Sequence, residues 1–316
     1  MSIQLIKNRS DIGAGTRGSD LGIDALEIAA INSGNDYFNR YDHVDVPTRN
    51  ETIYHKKTND FAKRIEQVAE QCERVALAVQ ASLKAGHTPI VLSGDHSSAL
   101  GTISGIKAAF PDKQIGVIWI DAHADIHSPY TSPSGNIHGM PLAAALAEDN
   151  LACQINQPGN PTIAVWEQLK NIGTPGPQLK SQHLVYFGLR DFESAEASLI
   201  DRKNIRVFTV EETREKGILR CIDLTKDQLK ECEMVYISFD VDSLDCDAVS
   251  EGTGTPVSGG FYPEEINELF SQLMRSLPIR CIEIAEINPL LDTRGNFMAE
   301  TAFAILDKST QLLLLQ

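Results

Sequence analysis

Apolar positions recur along the chain in two rhythms. Between residues 61 and 85, Phe61, Ile65, Val68, Cys72, Val75, Val79 and Leu83 fall three or four apart. That spacing marks one face of an amphipathic helix, and Gly86 supplies a C-terminal stop. Short continuous apolar runs predict strands at 89–92, 116–120, 184–188, 205–210, 234–239 and 280–286, and further helices are expected at 97–109, 262–276 and 296–314. Strands alternating with helices predict parallel βαβ units, an α/β chain of three layers (α/β/α) with a mostly parallel central sheet. No repeat, low-complexity tract or composition shift divides the sequence, so one domain is expected over 1–316.

Three of the predicted strands end in acids and histidines. Pro89-Ile90-Val91-Leu92 runs into Ser93-Gly94-Asp95-His96, Gly116-Val117-Ile118-Trp119-Ile120 into Asp121-Ala122-His123-Ala124-Asp125, and Val235-Tyr236-Ile237-Ser238-Phe239 into Asp240-Val241-Asp242. Burying a carboxylate is costly unless a cation compensates it. In an extended segment alternate side chains share a face, so Asp121, His123 and Asp125 are expected to converge. Ligands of open α/β sheets bind at the carboxyl ends of strands. The Ser-, Pro- and Gly-rich stretch 128–141 and the Gly- and Thr-rich stretch 243–261 follow two of these tips, so both are expected to wall a pocket. A third stretch, near 155–180, reads as a surface excursion.

Composition narrows the chemistry. Hydrophobic residues make up 42% and charged residues 22% of the 316, the balance of a soluble globular protein. The formal charge of −15 argues against a nucleic-acid surface and is compatible with a cationic small substrate. Cys72, Cys153, Cys221, Cys232, Cys246 and Cys281 form no CxxC pair, and no signal peptide or membrane-spanning run is present, so reduced thiols in a cytoplasmic protein are expected. Four aspartates and two histidines at strand tips form an oxygen-rich donor set without thiolate, which suits manganese or magnesium better than zinc. Four aspartates balance two divalent ions, and a bridging hydroxide leaves the cluster slightly negative. Paired metals lower the pKa of a shared water, and hydrolysis is the obvious use.

These segments, together with Glu286-Ile287-Asn288-Pro289 and the N-terminal Arg17-Gly18-Ser19-Asp20-Leu21-Gly22, resemble the ureohydrolase family of arginases, agmatinases and their relatives over about residues 10–315. The loop Thr131-Ser132-Pro133-Ser134-Gly135-Asn136-Ile137-His138-Gly139 looks like the arginase branch in particular. The resemblance implies an arginase-like fold and two Mn2+ per subunit, with Co2+ among other possible occupants. It implies that His96, Asp121, Asp125 and Asp240 bind one ion and His123, Asp121, Asp240 and Asp242 the other, with Asp121 and Asp240 bridging. A metal-bridging hydroxide, oriented by Asp125, would attack the guanidinium carbon of L-arginine and give L-ornithine and urea. His138 would shuttle protons. Glu286 would hold the guanidinium, with Thr255 close by. Ser134 and Asn136 would bind the α-carboxylate, and Glu193 and Glu196 the α-ammonium. A homo-oligomer, a trimer or hexamer, is implied as well.

Three positions depart from the arginase pattern. His127 stands where an Asn usually contacts the α-carboxylate and is expected to bind the substrate there through a hydrogen bond of different reach and pH response, and Glu193 stands where an Asp is usual. The loop Leu244-Asp245-Cys246-Asp247-Ala248-Val249-Ser250-Glu251-Gly252 lacks the usual proline and is one residue longer. The departures bear on the far end of the substrate, so another ureohydrolase acting on agmatine, a guanidino acid or formimidoylglutamate stays open. So does a catalytically silent metal-binding relative.

Overall fold

The computed structural model describes residues 2–55 and 59–315; Met1, residues 56–58 and Gln316 of the expected 1–316 domain lie outside the described residues. Eight strands occur in chain order as β1 (Ser2–Asn8), β2 (Asp42–Asp45), β3 (His87–Ser93), β4 (Ile115–Ile120), β5 (Leu184–Phe187), β6 (Arg206–Phe208), β7 (Met234–Asp240) and β8 (Ile279–Ala285). The helices are α1 (Gly22–Asn32), α2 (Tyr37–Arg40), α3 (Ile65–Lys84), α4 (Ala99–Ala109), α5 (Pro141–Ala145), α6 (Asn160–Leu169), α7 (Ser194–Lys203), α8 (Val210–Lys216), α9 (Ile218–Gln228), α10 (Pro263–Ser276) and α11 (Phe297–Leu313).

All eight strands pair in parallel in the order β2-β1-β3-β8-β7-β4-β5-β6. The chain steps from β3 to β4 across a gap that its last two strands, β7 and β8, later fill. The four strands that end in candidate site residues are therefore neighbours in the middle of the sheet. Alternation along each strand feeds two apolar layers. Ile90, Leu92, Ile118, Ile120, Ile237 and Phe239 face one, with α1, α10 and α11; Val91, Val117, Trp119 and Tyr236 face the other, with α3 and α4. Burial on both faces explains why these strands read as continuous apolar runs.

The expected α/β/α architecture is observed, with differences at the edges. Helix α3 starts at Ile65 because Arg64 takes a left-handed backbone (φ 59°), which leaves Phe61 outside the helix and 37% exposed. The run expected as strand 205–210 divides at Thr209, whose side chain caps α8 by accepting from the Glu212 N–H at 3.1 Å. The stretch 155–180 is more than an excursion: it carries α6, which buries Trp166 and Leu169. Strands β1 and β2 gave no sequence signal. β2 is an exposed edge, and the polar Lys7 of β1 is buried by pairing with Glu27.

Candidate metal centre

Each strand tip is fixed by local hydrogen bonds before it offers a side chain. After β3, Gly94 passes so close to the Ser10 carbonyl that a Cβ there would collide with it. Asp95 then caps the short turn 96–98 by accepting from the Ser97 N–H at 2.8 Å, and takes the Gly13 N–H at 2.9 Å. The His96 ring stacks on Trp119 of β4 with centroids 4.1 Å apart. Its Nε2 lies 2.7 Å from Ser238 Oγ of β7. Its Nδ1 faces the Oδ2 atoms of Asp121, Asp125 and Asp240, each at 3.1 Å.

The β4 tip converges as expected, but on a bent rather than an extended segment. Asp125 adopts a left-handed backbone (φ 50°), and so does Glu286 after β8 (φ 66°). Such conformations cost about 1–3 kcal/mol each and persist only where the surroundings impose them. The Asp125 carbonyl accepts from Leu142 N at 3.1 Å, and the Glu286 N–H donates to the Gly94 carbonyl at 2.8 Å. Asp240 Oδ1 accepts from the Asp242 N–H at 2.9 Å, turning the chain so that both carboxylates face the cleft. His123 Nδ1 lies 2.9 Å from Asp242 Oδ2 and 3.6 Å from Asp121 Oδ1, and its Nε2 lies 3.6 Å from Asp191. Two ligand-like groups result, His96–Asp121–Asp240 and Asp121–His123–Asp242, sharing Asp121.

Crowding of buried acids distorts their acidity. Burial, with Asp121 beside it, pushes Asp125 up to about 6. Burial, with Asp242 and Asp121 nearby, carries Asp240 well above the carboxylate range, and Asp242 is raised by burial and Asp121. Burial would raise Asp121 too, but the imidazoles of His123 and His96 outweigh it and hold it low. Burial works against charge on His96 and His123, yet the carboxylates around them raise both.

A cation fits this donor set. His96 Nδ1 and Asp121 Oδ2 are buried atoms with no hydrogen-bond partner, and they face each other at 3.1 Å. Buried polar atoms are rarely left this way. Because Nε2 is engaged by Ser238, Nδ1 is the nitrogen left to bind an ion. The two groups fit a binuclear metal site.

The cleft above holds about 620 Å³, counting space open to solvent. At its inner end, Glu286 Oε1 accepts from the His96 N–H at 2.9 Å and lies 3.0 Å from His138 Nδ1. Burial opposes charge on His138, but Glu286 lifts its pKa to about 9; His138 in turn holds Glu286 low against the effect of burial. Thr255 donates to Asp242 Oδ2 at 3.2 Å. At the outer end, Ser134, Asn136, His127, Glu193 and Glu196 line the wall. His127 is buried with both nitrogens engaged, Nδ1 at 3.0 Å from Thr131 Oγ1 and Nε2 at 3.0 Å from Glu193 Oε2. Glu193 and Glu196 form a reciprocal capping box at the start of α7. His127 holds Glu193 down at about 2, whereas burial and Glu193 push Glu196 well up.

All the residues expected at the site therefore line one cleft or its floor. Sequence reasoning missed several supports. The Arg190 guanidinium donates to the carbonyls of Asp242, Leu244 and Val257 at 2.7, 3.2 and 2.9 Å and pins the loop 243–261. Lys63 Nζ donates to Asn136 Oδ1 at 3.2 Å, and nothing in the sequence marks that lysine. Asp191, 3.6 Å from His123 Nε2, and Ser238, 2.7 Å from His96 Nε2, back the two histidines, and of the pair only Ser238, inside the acid-tipped run 235–242, carried a sequence signal.

A model of the arginase family matches residues 2–310. The chain is 37% identical to the arginase of Brevibacillus brevis over 301 residues, 94% of this chain and 93% of that one. It is 34% identical to the arginase of Bacillus caldovelox over 307 residues, 96% of each. The crystal structure of the Bacillus caldovelox arginase superposes with a TM-score of 0.83, covering 98% of this chain and 97% of that chain. Formimidoylglutamase from Bacillus subtilis shares the fold at 20% identity, with a TM-score of 0.75 over 100% of this chain and 88% of that chain. With two histidine–aspartate groups at the centre of this fold, and with this similarity along almost its whole length, the chain belongs to the arginase family of hydrolases.

Proposed function

We propose that this protein hydrolyses L-arginine to L-ornithine and urea, using two divalent ions, manganese by preference and cobalt as an alternative. The observation that carries the reading is the pair of buried atoms, His96 Nδ1 and Asp121 Oδ2, that face one another without a hydrogen-bond partner on the floor of the cleft. His96, Asp121, Asp125 and Asp240 would hold one ion, and His123, Asp121, Asp240 and Asp242 the other. Paired divalent ions there supply hydroxide at neutral pH and positive charge against a developing anion.

The chain's own groups do the rest. Glu286 takes the guanidinium through the oxygen left over from its contacts with His138 and the His96 N–H. Thr255, against Asp242, borders the same position. His138, whose pKa is lifted by Glu286, hands a proton to the leaving amine. At the outer end Ser134 and Asn136 meet the α-carboxylate, and Glu193 and Glu196, backed by His127, meet the α-ammonium. An assembly of three or six copies and a cytoplasmic setting belong to the same reading; no helix among the described residues is long and apolar enough to cross a membrane.

The test is urea release by manganese-loaded protein from L-arginine, agmatine, 4-guanidinobutyrate and formimidoylglutamate, the last followed by its own product. Turnover of L-arginine should exceed that of agmatine by at least about 10-fold, the size of one missing charged contact. Faster release from agmatine or the guanidino acid would move the protein to another branch of the ureohydrolases. No turnover of any compound would leave a silent metal-binding relative.

A further inference from the structure

Glu283 lies in the middle of β8, in the run Ile279-Arg280-Cys281-Ile282-Glu283-Ile284-Ala285, and is fully buried. The proposed reaction gives it no task. Its two oxygens take hydrogen bonds from neutral hydroxyls, Oε1 from Ser93 Oγ at 2.7 Å and Oε2 from the Tyr236 hydroxyl at 2.8 Å. A carboxylate in such a place is expensive without a cation in reach of its field.

The sheet register shows where that field leads. Val91 of β3, Glu283 of β8, Ser238 of β7 and Trp119 of β4 stand side by side across the four central strands. Tyr236, two residues before Ser238 on the same strand, shares its face, which places its hydroxyl on the side of the sheet where Ser238 meets His96. Ser238 Oγ meets His96 Nε2 at 2.7 Å, and the His96 ring lies over Trp119. On the other oxygen, Ser93 is joined at 3.0 Å by Ser98, in the turn that carries His96.

Resting on the metal site proposed above, we infer that Glu283 is a positioning residue for His96 that acts through Tyr236 and Ser238. A carboxylate accepts hydrogen bonds and donates none, so it sets the direction of every bond in the row. Tyr236 gives its proton to Glu283 and accepts from Ser238. Ser238 has then used its proton and accepts from His96 Nε2–H. The imidazole is thereby held in one tautomer, with the Nδ1 lone pair bare toward Asp121, Asp125 and Asp240. The carboxylate at the far end also makes that nitrogen a more basic ligand. Divalent ions held by His96 and its neighbours would in turn offset the charge of Glu283.

The test uses full-length protein stripped by chelator and retitrated with Mn2+ against a competing chelator, with bound metal counted directly. Glu283→Gln keeps the shape but adds donors. Tyr236→Phe removes the relay and leaves the carboxylate. Both, and Ser238→Ala, should weaken one of two manganese sites by about 10- to 100-fold. The Tyr236→Phe/Ser238→Ala double variant should bind no more weakly than Ser238→Ala alone, because the steps lie in series. Wild-type affinity in Glu283→Gln and Tyr236→Phe, with only a lower Tm of the metal-free protein, would reduce Glu283 to a structural residue. Losses that multiply in the double variant would overturn the relay as well. Failure of the wild-type chain to bind two ions would overturn the metal reading along with the inference, whereas two-ion binding with unaffected variants removes the inference alone.

Discussion

Two histidine–acid clusters face the same cleft and look alike by distance. The inner one joins His96 to Asp121 and Asp240; the outer one joins His127 to Glu193 and Glu196. Their difference lies in what each atom already has. In the inner cluster a histidine nitrogen and a carboxylate oxygen are buried without partners. In the outer cluster both nitrogens of His127 are engaged and the glutamates cap α7. The inner groups stand at the ends of three central strands, β3, β4 and β7; the outer ones stand on a loop and a helix start, with the Glu193 side chain 56% exposed. Proximity of donors therefore does not define a metal site. Unsatisfied atoms held on a rigid frame do.

The hardest blow to the inner cluster is Asp240→Ala. It should cut urea release by about 10³-fold or more, and metal analysis should find fewer ions bound. Retained metal and activity would erase the distinction between the clusters. Next comes His138→Ala, which touches the inner end but contributes no ligand. Its kcat should fall by about 10²-fold with metal content unchanged. Metal loss matching that of Asp240→Ala would reassign His138 to the ligand set.

The smallest effect belongs to the outer cluster. Glu193 has a pKa depressed from its ordinary 4.5 to about 2. A depressed carboxylate adds stability above its unfolded value and loses it as the pH falls through the folded one. Because the group is half exposed, the pair is worth less than about 1 kcal/mol. Glu193→Gln should therefore lower the Tm by no more than about 2 °C at pH 6. The gap from wild type should close as the pH drops from 4.5 toward 2, and at pH 6 the metal content of the variant should match that of wild type. A gap that widens on acidification would show that His127 is not what holds Glu193 ionised.

The centre of the molecule was far more legible in the sequence than its edges. Strands β3, β4, β7 and β8 are apolar on both faces and end in acids, so their position and purpose coincide in one signal. β2 lacks it because a four-residue exposed edge strand has little to bury, and β1, though largely buried inside the sheet, lacks it because polar Gln4, Lys7 and Asn8 interrupt its apolar run. α6 was hidden by prolines and glycines on either side, although Trp166 and Leu169 three residues apart marked its inner face. The bend at Asp125 was invisible because a left-handed aspartate is imposed by contacts with α5, not by its own neighbours. Glu283 escaped notice for another reason: one acid in an apolar strand looks like noise until the strands on either side are known.

The gap between β3 and β4 has a consequence in time. A ribosome delivers β3, β4, β5 and β6 well before β7 and β8, so the growing chain carries two strand edges at its middle with nothing yet between them. Such edges invite pairing with other chains. Asp240, Asp242 and Glu286 all arrive on the late strands or just past them. The shared two-group cluster is therefore complete only once β7 has slid in beside β4 and brought Asp240 and Asp242, so its assembly marks a finished sheet rather than helping to start one.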